Sequence, residues 1–222
     1  IRIYNRALGI AEAGRLYDLE KPGLNDGLVA YYPFNGNAND ESGNSRHGTV
    51  VGATLTTDRN GTAAKAYNFN GSGDRITLPA FQYGSEFTVS IWANQNAENR
   101  NDMIFSKKPA SNIDSLKLQA SNDGTYRAEV HSADDVLIGR YATNPTPSAG
   151  VWSHLTFTFN GGNTPSAIGV YKDGVRIDNS DLTIGSFTTF NDLNVVSEIG
   201  SQNSGSSTFG GKLDDVRIYN RA

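Results

Sequence analysis

The chain has 222 residues, enough to bury one sizeable core, and 37% hydrophobic with 10% aromatic content excludes a disordered polymer. A formal net charge of −4 excludes nucleic acid and anionic membrane as natural partners. The absence of cysteine excludes a thiolate nucleophile, a Cys-ligated zinc site and a disulfide framework. Charge at 19% is low for a helical enzyme, and 24 glycines with abundant Asn, Ser and Thr suit short strands joined by tight turns. No apolar run approaches the roughly 18 residues needed to cross a bilayer, and no signal-peptide pattern is present.

Residues 1–7 read IRIYNRA and residues 216–222 read VRIYNRA, six of seven positions identical at an offset of 215. Coincidence does not produce that in one short chain, so the segment reads as the closing strand of a long-period repeat. Together with a first residue that is not Met, it points to an excerpt from a longer polypeptide. Leu8, Ala11, Leu16 and Leu19 follow near-helical spacing, which predicts a short connector helix ending before Lys21-Pro22-Gly23. Residues 1–23 are thus expected to close and connect a preceding repeat, and residues 24–222 to form one module.

Strands are expected at 28–34, with Pro33 marking an edge or strand end, then at 66–70 and 74–78 around a Gly-Ser-Gly turn. Residues 35–52 read as a polar loop. Phe87, Val89 and Ile91 alternate onto one face, with Trp92 on the other. Further strands are expected at 103–106, 114–120, 125–131, 135–141 and 151–159. Asp173-Gly174 inside 170–177 suits a type I′ hairpin turn, and 198–200 and 211–219 supply the last strands. Evenly spaced strands with polar turns predict an all-β, two-sheet antiparallel β-sandwich.

GLVAYYPFNGNANDESGNSRHGTV (27–50), FTVSIWANQ (87–95), WSHLTFTFNGG (152–162), VYKDGVRI (170–177) and GKLDDVRIYNRA (211–222) carry a family resemblance. Over 27–222 the chain resembles the laminin-G-like, concanavalin A-like jelly rolls. The resemblance implies two curved antiparallel sheets packed face to face and an extracellular or cell-surface setting. It also implies several modules per chain and glycan or protein ligands. The composition is that of a secreted bacterial repeat.

Asn39-Asp-Glu-Ser-Gly-Asn44 gathers oxygen donors on one loop, and Asp214-Asp215 adds two carboxylates on the closing strand. Calcium takes six to eight oxygens at about 2.3–2.6 Å. The resemblance makes the first and last strands neighbours, which lets these groups converge on a structural calcium. Asp40 and Asp214 are the expected side-chain ligands, with Asp215 beside them and carbonyls around Asn44 and His47. The alternative is that Asp40 and Asn44 make Asx turns while the acids pair with Arg217 or Arg46.

Catalysis lacks material. The Glu-x-Asp-x-x-Glu string of related glycosidases does not occur, and His47, His131 and His154 show no metal or triad spacing. His154 reads as a hydrogen-bonded structural histidine. A sugar site needs exposed rings beside amides and acids. Tyr83, Tyr126, Tyr141 and Phe190 are candidates that also fit half-buried strand positions, and the loops at 93–102 and 141–150 are the expected location. Three functions therefore compete: a binding or adhesion module partnered by copies of itself, glycan or extracellular protein; a structural repeat of a filament or surface layer; and a carbohydrate-binding appendage of an enzyme.

Overall fold

The structure is a computed structural model. It describes residues 3–20, 23–96, 102–108, 115–120, 125–133, 136–143, 149–202, 204–205 and 207–222. Among the described residues one α-helix, α1 (Ile10–Glu20), precedes the strands. The strands in chain order are β1 (Leu28–Tyr32), β2 (Thr49–Val51), β3 (Thr54–Thr56), β4 (Ala66–Asn70), β5 (Arg75–Leu78) and β6 (Phe87–Gln95). There follow β7 (Asp102–Lys107), β8 (Leu116–Ala120), β9 (Tyr126–Ala133), β10 (Val136–Ala142), β11 (Ser153–Phe159) and β12 (Ile168–Lys172). The last are β13 (Val175–Arg176), β14 (Ser180–Ile184), β15 (Ser197–Ile199), β16 (Ser201–Gln202), β17 (Ser207–Thr208) and β18 (Gly210–Tyr219).

Two eight-stranded sheets hold all of these strands but β16 and β17. The first runs β13-β12-β11-β6-β18-β4-β3 with β1 also on β18, and the second runs β14-β10-β9-β8-β7-β15-β5-β2. Every pairing is antiparallel, which is the expected sandwich. Strict alternation builds the interior: Phe87, Val89 and Ile91 of β6 are all buried, as are Leu155, Phe157 and Phe159 of β11. Burying one such side chain stabilises the fold by about 1.5–3 kcal/mol. Phe87 joins a ring cluster with Tyr83, Phe159 and Phe190, centroids 5.1–6.0 Å apart.

The closing strand organises the first sheet. β18 pairs along its length with β6, while its other edge is shared by β4 opposite Gly210–Leu213 and β1 opposite Val216–Tyr219. Between Asp214↔Trp92 and Arg217↔Ser90, two residues of β18 oppose one of β6, a β-bulge with Asp215 at φ 50. The second copy of the repeat thus closes the module in cis, with Ile218 at 0% exposure. The first copy packs into nothing described: Ile3 is 92% exposed. α1 begins as a solvent-exposed connector, Ile10 at 95%, with Glu12 capping the Gly9 N–H and pairing Arg6 at 2.6 Å.

Five strands lie outside the expected runs, β2, β3, β14, β16 and β17, with β2 inside the run expected as loop. β2, β3 and β14 are edge strands with no fully buried residue, and β16 and β17 form a separate two-stranded ribbon. The Asp173-Gly174 turn has φ 51 and 80, the two positive values of a type I′ hairpin.

Candidate functional site

The outward residues of the first sheet form a continuous row. Tyr171, Thr156, Ser90, Arg217 and Tyr31 lie directly opposite one another across β12, β11, β6, β18 and β1. With strands about 4.8 Å apart, that row crosses roughly 19 Å of sheet. The row on one side contains Thr158, Thr88 and Tyr219, and on the other His154 and Trp92. Asp215 and Arg217, two positions apart, share this face with their groups 3.0 Å apart, and the bulge in β18 interrupts the alternation between Asp214 and Arg217.

A trough of about 230 Å³ lies at the centre of this face. Its floor is short and hydroxylated, Thr88, Ser90 and Thr156, and its walls are Leu24, His154, Arg217, Tyr219 and Arg221. His154 stacks on Trp92 with centroids 5.1 Å apart, and its Nε2 lies 2.8 Å from the Ser90 hydroxyl. Burial pushes the imidazole below its ordinary range, opposed by the charges of Asp215 and Asp173. Burial thus favours the neutral ring, which works as a hydrogen-bonding group. Arg217 lies over Tyr31 at 4.6 Å and Arg221 over Tyr219 at 5.3 Å, so both guanidiniums are held against rings.

Beside the trough is a second, polar cleft of about 190 Å³, lined by Tyr31, Asp58, Arg59, Asn60, Lys65, Asp214 and Asp215 among others. Arg59 pairs with both acids, at 3.1 Å from Asp215, and covers the Trp92 ring at 4.8 Å. Burial lifts the Asp214 carboxyl to about 6, against the pull of Arg59 and helped by the charge of Asp215.

The five expected calcium ligands are not brought into one donor set. The Asp40 carboxylate accepts the backbone N–H groups of Tyr31, Ser42 and Arg46 at 2.9 Å each, which holds it below its ordinary range against the cost of burial. The Asp40 N–H in turn donates to His47 Nδ1 at 3.1 Å, and the Asn44 amide donates to the Val29 carbonyl at 3.1 Å. Asp214 and Asp215 face Arg59 and Arg217, cations where a metal would need to sit. Among the described residues no group of three or more His, Cys, Asp or Glu converges as a metal site. The residues as placed do not fit calcium. Turn formation at Asp40 and an acid–Arg217 pair are what the structure holds, while Arg46 lies over Phe81.

The expected sugar-stacking rings fare unevenly. Tyr83, Tyr126 and Phe190 are core residues, at 1, 3 and 7% exposure. Tyr141 lies half-buried on the second sheet, donating to Glu129 at 3.1 Å with Arg127 over its ring at 4.6 Å. Of the expected loops, 97–101 and 144–148 lie outside the described residues. The trough escaped sequence reasoning because its members come from strands distant in the chain. The only signal was the alternation that turned Thr88, Ser90, Thr156 and Thr158 to one face.

Among the described residues no helix is long and apolar enough to cross a membrane. No curated protein sequence matches this chain. Solved structures do. The binding domain of Paraclostridial Mosquitocidal Protein 1 is similar at TM-score 0.69 and 20% identity, over 90% of this chain and 50% of that one. Domain 4 of AbnA, an extracellular arabinanase from Geobacillus stearothermophilus solved with arabinotriose, is similar at 0.63 and 24%, over 86% and 91%. Trypanosoma rangeli sialidase is similar at 0.62 and 16%, over 88% and 30%. This chain therefore spans half or less of the toxin and sialidase chains, and at these identities the likeness is one of fold. Residues 70–222 match the family described as the Concanavalin A-like lectin/glucanases superfamily, and the chain belongs to that superfamily.

Proposed function

We propose that this chain is a non-catalytic glycan-binding module of an extracellular protein, with its ligand seated in the trough of the first sheet. The observation that carries this reading is the trough itself: a floor of small hydroxyls between the His154 imidazole, which packs at a tilt against Trp92, and two ring-backed arginines. Sugars need hydrogen-bonding edges beside ring faces, and such a site holds a few polar groups in fixed positions. Support comes from the arabinanase domain of the same fold, which was solved in complex with arabinotriose.

The trough argues against catalysis. No carboxylate lines it, so the acid and base of a glycosidase have no candidates there. Ser90 and His154 have the spacing of a nucleophile and base, but Ser90 sits mid-strand with ladders on both sides. Neighbouring N–H groups are committed to those ladders rather than to an oxyanion. A glycan array with wild-type protein and Thr156→Tyr tests the reading. The variant fills the floor while leaving every wall in place. Binding that Thr156→Tyr removes, at unchanged melting temperature, supports it; binding indifferent to the variant places the site elsewhere.

A second inference concerns the parent chain, and the duplicated segment favours it. We infer tandem copies, with residues 1–7 completing a preceding module. Ile218 and Tyr219 are buried in the second copy, whereas their equivalents Ile3 and Tyr4 are 92 and 44% exposed. The module provides one slot for this segment and β18 occupies it. Because Leu28 lies opposite Tyr219, and Asn220 donates to the Gly27 carbonyl at 2.8 Å, such copies would join at one edge of each sandwich.

A further inference from the structure

We infer that the trough selects an anionic sugar, its carboxylate or sulfate held beside Arg217 and Arg221. This rests on the glycan-binding reading and specifies its ligand class. The chain as a whole is acidic, at −4, yet the only charged residues lining the trough are two arginines. A cationic recess on an acidic protein is a local feature that its overall charge does not supply.

The two arginines differ in how far they are neutralised. Arg217 is paired with Asp215 at 3.0 Å and donates to the Tyr31 hydroxyl at 3.3 Å, which fixes its guanidinium. Arg221 has no carboxylate partner among the described residues. Its Nε donates to the Asp26 carbonyl at 2.7 Å and a terminal nitrogen to the Gly23 carbonyl at 3.4 Å. Carbonyls position a guanidinium without cancelling its charge. Arg221 is therefore a pre-oriented cation at the rim with no ion pair among the described residues, and with Nε and one Nη2 proton committed to carbonyls its end-on edge, Nη1 and Nη2, is what remains for an anion. Asp214 is already bound to Arg59 on the far side of the Arg217–Tyr31 row, so the cations of the neighbouring cleft, Arg59 and Lys65, sit among three carboxylates, whereas no carboxylate lines the trough. The Ser90 and Thr156 hydroxyls and His154 are left to hydrogen-bond the rest of the sugar.

The test compares binding on an array that carries uronate and sialyl glycans, sulfated glycans and their neutral parents, at low and high NaCl. The inference expects acidic glycans to bind at least tenfold above the neutral parents, with the margin shrinking in high salt. Arg221→Gln should erase the margin, and Arg221→Lys should keep part of it, because the charge survives and the fork does not. Melting curves for both variants show whether the ties to Asp26 and Gly23 matter for folding. Carboxylated against sulfated spots identify which anion is read. Neutral glycans binding as well as acidic ones, and blocked by Thr156→Tyr, would overturn the anionic preference while leaving the glycan site standing. Acidic binding that survives both Arg221→Gln and Thr156→Tyr would reject this trough as its location. An array with no binding of any class would remove the glycan reading and this inference with it.

Discussion

Asp40 and Asp214, whose sequence neighbourhoods both suggest metal ligation, solve different problems in the structure. Asp40 collects three backbone N–H groups and so folds the 40–46 loop against β1. Its valences are spent, so millimolar calcium followed by chelator is expected to leave the melting temperature unchanged; a calcium-dependent rise would show that Arg59 yields its place to a metal. Asp214 is nearly fully buried, and its carboxyl stands near 6 instead of its ordinary 3.8. A raised value means that the folded state holds this proton more tightly than the unfolded chain does. The associated stabilisation is complete below about 3.8 and is lost as pH rises through about 6. Asp214→Asn, which stays neutral, should therefore gain melting temperature relative to wild type between pH 4 and pH 7. A difference that shrinks over that range would mean that the Arg59 ion pair outweighs burial. A sequence shows that acids exist but not which cation reaches them, since Arg59 and Asp214 are 155 positions apart.

Elements were legible in proportion to what they bury. β11 alternates cleanly, and β6 does so in its apolar residues Phe87, Val89 and Ile91, because one face of each lies in the core, and Trp92 falls on the outer face as its position requires. β2, β3 and β14 lie on sheet edges, where pairing needs only backbone groups and leaves no hydrophobic period to read. The hairpin was readable for a different reason, because turn chemistry is local. With Asp173 and Gly174 both at positive φ, Gly174→Val places a β-branched residue where it is strongly disfavoured. The loss should exceed about 1 kcal/mol in chemical denaturation. A neutral outcome would contradict the turn geometry. The bulge at Asp215 left no trace in the sequence pattern, whereas the two-residue spacing that sets Asp215 beside Arg217 is plain in it.

For the molecule as a whole, the two ends of the chain carried the most information. One slot and two copies of RIYNRA forced a choice, and the buried copy is the one continuous with β18. Deleting residues 1–7 should therefore leave the melting temperature almost unchanged, whereas unfolding of the monomer would show that the first copy serves this module's own core. The jelly roll could be read from motifs spread over most of the chain, but the ligand face could not. It is assembled from β1, β6, β11 and β18, which only the sheet order makes neighbours. The central claim is that the outer face of the first sheet binds glycan. Its most direct test is NMR shift mapping on labelled protein titrated with the strongest array ligand. The account predicts perturbations centred on Thr88, Ser90, the Trp92 indole, His154, Thr156 and Arg217. Perturbations confined to the second sheet around Arg127 and Tyr141, with the trough silent, would contradict it.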